Sequence, residues 1–297
     1  MLPSLKSEII VLQLGIHIIY GIILGVVQGI SEWLPVSSKT QVLVAATYLV
    51  HLPFNQAYTL GLFMEIGTIL AAIIYFRKEL LLMIKFLLRR GNPEGRNLFM
   101  YVLVSTIFTG LIGAPIYLLV DSLKGTYNLG IPMLLIGIVL IGDALLIRHS
   151  RSKQGQAAQR RKLGNLKIKD YILVGIAQGI AALPGVSRSG ITTSTLLLLN
   201  VQGDEAFRLS FLSSIFATTA AVGLTLVASH SNVVSAVSAI GVSGLLVAIV
   251  VSMVVSIFLI GYLLKIAGHS KIVYLTAALG ILALFGGAVA ALTGLGS

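Results

Sequence analysis

Six long apolar runs limit the folds open to this chain. They have 17 to 28 residues, and a helix needs roughly 20 to cross the hydrocarbon core of a bilayer. They cover residues 58–76, 98–119, 131–147, 209–228, 236–263 and 272–293. Only 10% of the 297 residues are charged, against about 25% in soluble domains, and the runs lack the alternation of barrel strands. The sequence therefore predicts an all-α polytopic membrane protein with a single membrane domain, residues 1–297.

The basic residues indicate how the chain is oriented in the membrane. Lys and Arg give a net charge of +11 and concentrate in residues 77–97, 148–170 and 265–271, which connect apolar runs. This is the distribution of cytoplasmic loops, so it argues against a nucleic-acid partner and for contact with membrane lipids. With all three segments in the cytoplasm, the six spans alternate without conflict. We therefore expect a multi-pass protein of the plasma membrane.

Two regions, 8–52 and 171–203, do not fit simple spans. Each contains two apolar arms separated by proline and hydroxyl residues, as in "GVVQGISEWLPVSSKTQVLVAATYLV" and "GIAQGIAALPGVSRSGITTSTLLLLN". Broken backbone at membrane depth is tolerated only where it is buried in protein or lines a wet cavity. We predict two re-entrant helix hairpins, about 25–50 and 171–203. The arm that starts near Glu8 is also long enough to span on its own.

The two hairpins share a residue pattern in a fixed register. Gly25, Gln28, Gly29 and Ile30 recur 150 positions later as Gly175, Gln178, Gly179 and Ile180. Each repeat would hold one hairpin and three spans, and because three is odd the second copy must be inverted. The predicted repeats are 8–147 and 171–297, joined by a basic cytoplasmic loop, 148–170. Inverted repeats would bring both hairpin tips together near the midplane.

Five ionisable residues remain in apolar surroundings: Glu32, Lys39, Glu65, Asp143 and Arg188. Such groups cost roughly 2.5–3.5 kcal/mol each on insertion scales and are candidates for function. Alternatives stay open for several of them. Asp143 could pair with Arg148 at the interface, Lys39 could extend outward, and Glu32 and Arg188 could form a purely structural ion pair.

The tip sequence "PGVSRSG", residues 184–190, has the chemistry of an anion site. Arg188 offers a planar fork suited to phosphate oxygens, and the helix predicted to open there would point its amides at the same ligand. Gly190 permits close approach of the backbone. Hydroxyl donors come from both hairpins: Ser37, Ser38, Ser187, Ser189 and Thr192. A phosphate or diphosphate fits best, and the chain has no P-loop and no Cys or His metal spacing.

"QGISEWLPVSSKTQ" and "PGVSRSGITT" resemble the motifs of the undecaprenyl-diphosphate phosphatase (bacitracin-resistance) family. The resemblance implies inverted repeats with re-entrant hairpins. It also implies hydrolysis of a polyprenyl diphosphate to the monophosphate lipid carrier on the outer side of the membrane, with a divalent metal, Mg²⁺ or Ca²⁺. By position, Glu32 would be an essential carboxylate for acid–base work or a possible metal ligand, and Ser38 the nucleophile or a phosphate ligand. The diphosphate would be held by Arg188, Ser187, Ser189 and Thr192.

The chain departs from many bacterial members at two positions, where Gln28 replaces a glutamate and Gln41 a histidine. Neither glutamine can act as a general base at neutral pH, although both can bind phosphate or water. The role of general base would then fall to Glu32, to Glu65 or to a metal-bound water. This pattern resembles archaeal or divergent members. A polyprenyl-phosphate flippase with the same clamp is the alternative function, and a homodimer is a possible assembly.

Overall fold

The computed structural model describes residues 2–122, 160–183, 185–228, 230–267 and 272–293, with 133–135, 137–138, 140–142, 144–145 and 148. The helices are α1 Leu2–Ser31, α2 Ser38–Val50, α3 Phe54–Tyr75, α4 Arg77–Leu87, α5 Pro93–Ser122, α6 Met133–Gly142, α7 Ile168–Ile180, α8 Arg188–Leu198, α9 Gly203–Ala228, α10 His230–Ala267 and α11 Ile272–Leu292. A short 3-10 turn covers Leu163–Asn165. Within the described residues there is no β-strand, only an isolated bridge between Arg161 and Val201. The predicted all-α fold is confirmed.

Several helices are long and apolar enough to cross a membrane. Four described helices meet this criterion by length and composition, within α1, α5, α9 and α10. A fifth span would combine α3 with α4, which bends away from it by 73° after Tyr75. α6 and the stretch Thr276–Leu292 of α11 are shorter apolar helices. The protein is therefore a multi-pass membrane protein. Three of the six predicted spans, 98–119, 209–228 and 236–263, correspond to these helices, whereas the other three stay predictions.

Two helix pairs, α1 with α2 and α7 with α8, correspond to the predicted hairpins, and their arms differ in length. That these pairs are re-entrant stays a prediction. In the second hairpin, α7 has 13 residues and α8 has 11. At 1.5 Å per residue they extend only about 20 and 17 Å, less than the ~30 Å hydrocarbon core. In the first hairpin α2 is equally short, whereas α1 is one continuous helix of 30 residues. α1 runs without interruption from Leu2 to Ser31, and a first hairpin that begins near residue 25 stays a prediction.

The repeated glycines lie where two helices pack closely. A side chain at Gly25 would place its Cβ 2.7 Å from the carbonyl oxygen of Ala248 on α10. One at Gly179 would place its Cβ 2.7 Å from the Cβ of Ile112 on α5. The remaining members of the repeated pairs, Gly29 and Gly175, lie at the same two contacts. Each hairpin thus packs on a helix from the other half of the chain, as small residues allow in membranes.

Ion pairs join the helices on the face that carries the basic segments. Arg208 of α9 contacts Glu79 of α4 at 3.2 Å and Glu205 at 3.1 Å. Arg161 pairs with Asp170 at the start of α7. Burial alone would raise the pKa of Asp170, but the hydrogen bond and charge of Arg161, with a backbone amide, hold that pKa below its usual range.

The division into repeats 8–147 and 171–297 stays a prediction. Residues 149–159 of the basic segment lie outside the described residues, as do Asp143 and Pro184.

Candidate active site

The tips of the two hairpins lie against each other. The hydroxyls of Ser187 and Ser189 both donate to the carbonyl oxygen of Leu34, at 3.3 and 2.9 Å. A Cβ at Gly190 would lie 2.8 Å from the Cβ of Pro35, so a larger residue there would push the tips apart. Hydrogen bonds between the two hairpins and the close contact at Gly190 therefore hold the tips together.

A cavity of about 290 Å³ opens at this junction. Six of the side chains predicted to form the site line it: Glu32, Ser37, Ser38, Glu65, Ser187 and Arg188. They come from both hairpins and from α3. The sequence therefore identified residues that are far apart in the chain and that the fold brings to one cavity.

Glu32 is the centre of the polar network. It follows the last residue of α1, and only 4% of it is exposed. One carboxylate oxygen accepts a hydrogen bond from the Nη2 of Arg188. The other accepts hydrogen bonds from the Ser38 hydroxyl at 2.6 Å and the Gln28 amide at 2.8 Å. A hydroxyl that donates to an oriented carboxylate is the arrangement of a nucleophile and its general base.

Arg188 and the start of its helix bring hydrogen-bond donors to the cavity. Arg188 is the first residue of α8, and its side chain is 15% exposed. Its Nη1 is buried and has no hydrogen-bond partner among the described residues. Ser187 caps the helix by accepting from the Gly190 amide at 3.2 Å. A buried unpaired donor beside a helix N-terminus is suited to bind an anion.

Two further charged side chains face the same cavity. Glu65 of α3 is 4% exposed, and within the described part of the chain its carboxylate accepts no hydrogen bond. It interacts electrostatically with Glu32, Lys39 and Arg188. Lys39 lines the cavity, and whether its ammonium group extends outward stays open. The lining thus combines two carboxylates with two cations.

The remaining five predicted site residues lie outside the lining and have protein contacts instead. Gln28 hydrogen-bonds Glu32, and the Gln41 amide donates to the carbonyl oxygen of Val36 at 3.2 Å. The hydroxyl of Thr192 pairs with that of Ser210. Ser189 and Gly190 make the tip contacts described above. In this structure these residues shape the tips and orient Glu32, and direct contact with a substrate stays a prediction for them.

Sequence reasoning missed the contribution of α5 and of Gln178. Thr106 and Thr109 of α5 line the cavity, and Thr109 hydrogen-bonds the Gln178 side chain at 3.1 Å. Whichever way this amide is oriented, one terminal atom of Gln178 is buried without a partner among the described residues. The repeat with Gln28 was the one available signal for Gln178. The remaining lining is largely apolar and small: Gly110, Gly113, Ala114, Ala217, Ala220, Ala221 and Leu224. A cavity with a charged end and an apolar wall suits an amphiphilic ligand.

The donor set is compatible with a hard divalent cation. The cavity offers two carboxylates, from Glu32 and Glu65. No group of three or more His, Cys, Asp or Glu side chains within the described residues could hold a metal. Mg²⁺ is commonly bound through one or two carboxylates together with the phosphate oxygens of a substrate. These two side chains therefore fit an oxygen-ligated ion that is completed by a phosphate ligand.

Comparison with known proteins gives one consistent result. The family model described as "Bacitracin resistance protein BacA" matches residues 21–285. A protein named undecaprenyl-diphosphatase from Saccharolobus solfataricus is 50% identical over 272 residues, 91% of this chain and 96% of the relative. Proteins of the same name from Sulfurisphaera tokodaii and Pyrobaculum aerophilum are 45% and 38% identical, covering 89% of this chain in each case and 94% and 95% of the relatives. The chain belongs to the bacitracin resistance protein BacA family.

Proposed function

We propose that this protein hydrolyses a polyprenyl diphosphate to the monophosphate lipid carrier and inorganic phosphate. The observation that carries the proposal is the contact of the Glu32 carboxylate with both the Ser38 hydroxyl and the Arg188 guanidinium beside an amphiphilic cavity. The relatives are named for the same reaction. No observation favours the transport alternative, and the names of the relatives do not support it.

Ser38 is the nucleophile in the proposed reaction. Its oxygen bonds to the terminal phosphorus as the anhydride bond breaks, its proton passes to Glu32, and polyprenyl monophosphate leaves with the bonding electron pair. Water then attacks the phosphoserine, the Ser38 oxygen leaves with its bonding electron pair and takes back the proton from Glu32, and inorganic phosphate is released with the protons of the water. The 2.6 Å hydrogen bond from Ser38 to Glu32 supports attack by Ser38 over direct attack of water on the diphosphate.

Arg188 contributes by positioning and charge. One of its nitrogens orients Glu32, and the free Nη1 can bind a phosphate oxygen. Fixed donors that face the developing charge stabilise a transition state without reorganisation. A divalent cation, Mg²⁺ or Ca²⁺, held by Glu32 and Glu65, would supply further neutralisation of the phosphate oxygens.

The cellular setting is part of the same proposal. The basic segments support a cytoplasmic location for the α4 side and an outward-facing site in the plasma membrane. The equivalent glycine contacts of α1 with α10 and of α7 with α5 support inverted repeats. A homodimer stays a prediction.

Phosphate release by the purified protein tests the proposed function. The protein in detergent receives farnesyl diphosphate with Mg²⁺, with Ca²⁺ or with EDTA, and released phosphate is measured. We expect Ser38→Ala, Glu32→Gln and Arg188→Ala each to lower turnover about 10²–10⁴-fold, the usual contribution of such groups.

Ser194→Ala is the matched control for the serine change. Ser194 is buried on α8, outside the cavity lining, and its hydroxyl has no partner among the described residues. We expect its turnover to equal that of the unchanged protein. The proposed function is wrong if the folded, unchanged protein releases no phosphate under any metal condition.

A further inference from the structure

Lys39 is a charged residue of the cavity that has no role in the proposed reaction. It is the second residue of α2, and it lines the cavity beside Glu32, Ser37 and Ser38. A lysine in an apolar region is costly unless it meets an anion or water. Its position in the first turn of α2 also places it next to the amides of a helix N-terminus, where negative charge is favoured.

Lys39 forms no salt bridge within the described residues. The salt bridges of the described residues involve Arg161, Arg188 and Arg208, and none involves Lys39. Its charge acts on Glu65, but these two side chains form no hydrogen bond in the described structure. No salt bridge of the described residues therefore competes with a ligand for the Lys39 ammonium group.

Arg188 complements Lys39 from the opposite hairpin. Its Nη2 is bound to Glu32, which leaves Nη1 for a ligand. Both cations line the same cavity as the Glu65 side chain. A site with one guanidinium and one ammonium group would match a ligand with two linked phosphate groups better than a ligand with a single phosphate group.

We propose that Lys39 is a second phosphate-binding cation that makes the site select a diphosphate over a monophosphate. This inference rests on the proposed function, since it assumes a diphosphate lipid as the ligand. Arg188 and Lys39 would each contact one phosphate group. Loss of the terminal phosphate removes the ligand of one cation, which favours release of the monophosphate product.

Binding of ligands that cannot turn over tests this role. The probes are farnesyl methylenediphosphonate, whose P–C–P link resists hydrolysis, and farnesyl monophosphate. Dissociation constants are measured by titration calorimetry in detergent for the unchanged protein, Lys39→Met and Lys39→Arg. Lys78→Met is the matched control, because Lys78 is exposed on α4 and outside the cavity lining.

We expect Lys39→Met to weaken diphosphonate binding about 10- to 100-fold and monophosphate binding less than about threefold, since one charged hydrogen bond is lost only in the first case. Lys39→Arg should retain the preference, and Lys78→Met should change neither constant. Thermal unfolding followed by the fluorescence of Trp33 verifies that each variant is folded. Equal weakening of both ligands, or no weakening, overturns the inference, because Lys39 would then only neutralise Glu65.

The same proteins separate this inference from the proposed hydrolysis. If diphosphonate binding depends on Lys39 but the unchanged protein releases no phosphate from farnesyl diphosphate, the hydrolysis proposal fails and the role of Lys39 stands. If phosphate is released and Lys39→Met binds both ligands as the unchanged protein does, the role of Lys39 is wrong and hydrolysis stands.

Discussion

The contact between Glu32 and Arg188 should be a strong energetic link between the two hairpins. Glu32 is 4% exposed and the Arg188 side chain 15% exposed. Removing one partner of a buried ion pair leaves the other charge uncompensated, at a cost of about 3–5 kcal/mol. Because this pair borders a cavity that can admit water, we expect about 3 kcal/mol for either Glu32→Gln or Arg188→Gln.

The double variant should lose less than the sum of the single losses. Once both charges are gone, neither hairpin carries an unpaired ion, so the second substitution adds little to the first. Contacting residues typically couple by about 0.5–3 kcal/mol, and this pair should lie at the upper end of that range. A double-mutant cycle on the unfolding transition measures the coupling directly.

Trp33 provides the assay. It is the one tryptophan of the chain, it follows Glu32, and its ring is 4.9 Å from that of Phe211 in the core. Its fluorescence therefore reports unfolding at the hairpin tip. A loss of 3 kcal/mol should lower the apparent melting temperature by about 6–12 °C. The matched control is Glu94→Gln, which removes the exposed partner of a surface ion pair with Arg208. Because exposed pairs contribute about 0–1 kcal/mol, it should lower the melting temperature by less than about 4 °C. Strictly additive single and double shifts would refute the energetic link.

Two predictions concern stability. Gly29→Ala would place a Cβ 2.8 Å from the Cβ of Val255, so it should destabilise the protein by about 1–3 kcal/mol. Gly223→Ala is the control, because a Cβ there would have no neighbour within 4 Å, and it should not lower the melting temperature. Equal melting temperatures of the two variants would contradict the close packing at Gly29. Because the folded pKa of Asp170 is depressed, its stabilising contribution is present above the unfolded value of about 3.9 and lost as pH falls through the folded value. The difference in melting temperature between the unchanged protein and Asp170→Asn should shrink from pH 7 to pH 3, and a constant difference would exclude this linkage.

Features set by local sequence were predictable. α5, α9 and α10 follow from apolar length alone, and the second hairpin follows from two short apolar arms around a polar tip. The pairing of Glu32 with Arg188 could also be anticipated, because charges placed at membrane depth must find partners. These predictions needed no knowledge of how the helices pack.

Features set by packing were not predictable. Gln178 reaches the cavity because α7 packs on α5, and nothing in its own neighbourhood identifies that partner helix. The direction of Lys39 likewise depends on where α3 places Glu65. A third case is the break in α10, where Gly241 adopts φ 68° and ψ 155°, a conformation open to glycine. The apolar run 236–263 passes through this position without a change in composition.

The site is a property of the junction between the two halves of the chain. The first half supplies Glu32 and Ser38, and the second supplies Arg188 and the capped start of α8. Glycine contacts fix each hairpin to a helix of the opposite half, so the tips cannot separate without opening α1 from α10 or α7 from α5. Either half alone would carry an unpaired ion in the membrane and lose its hairpin's partner helix. The proposed anion site would therefore form only when both halves have assembled, which would couple its geometry to completion of the fold.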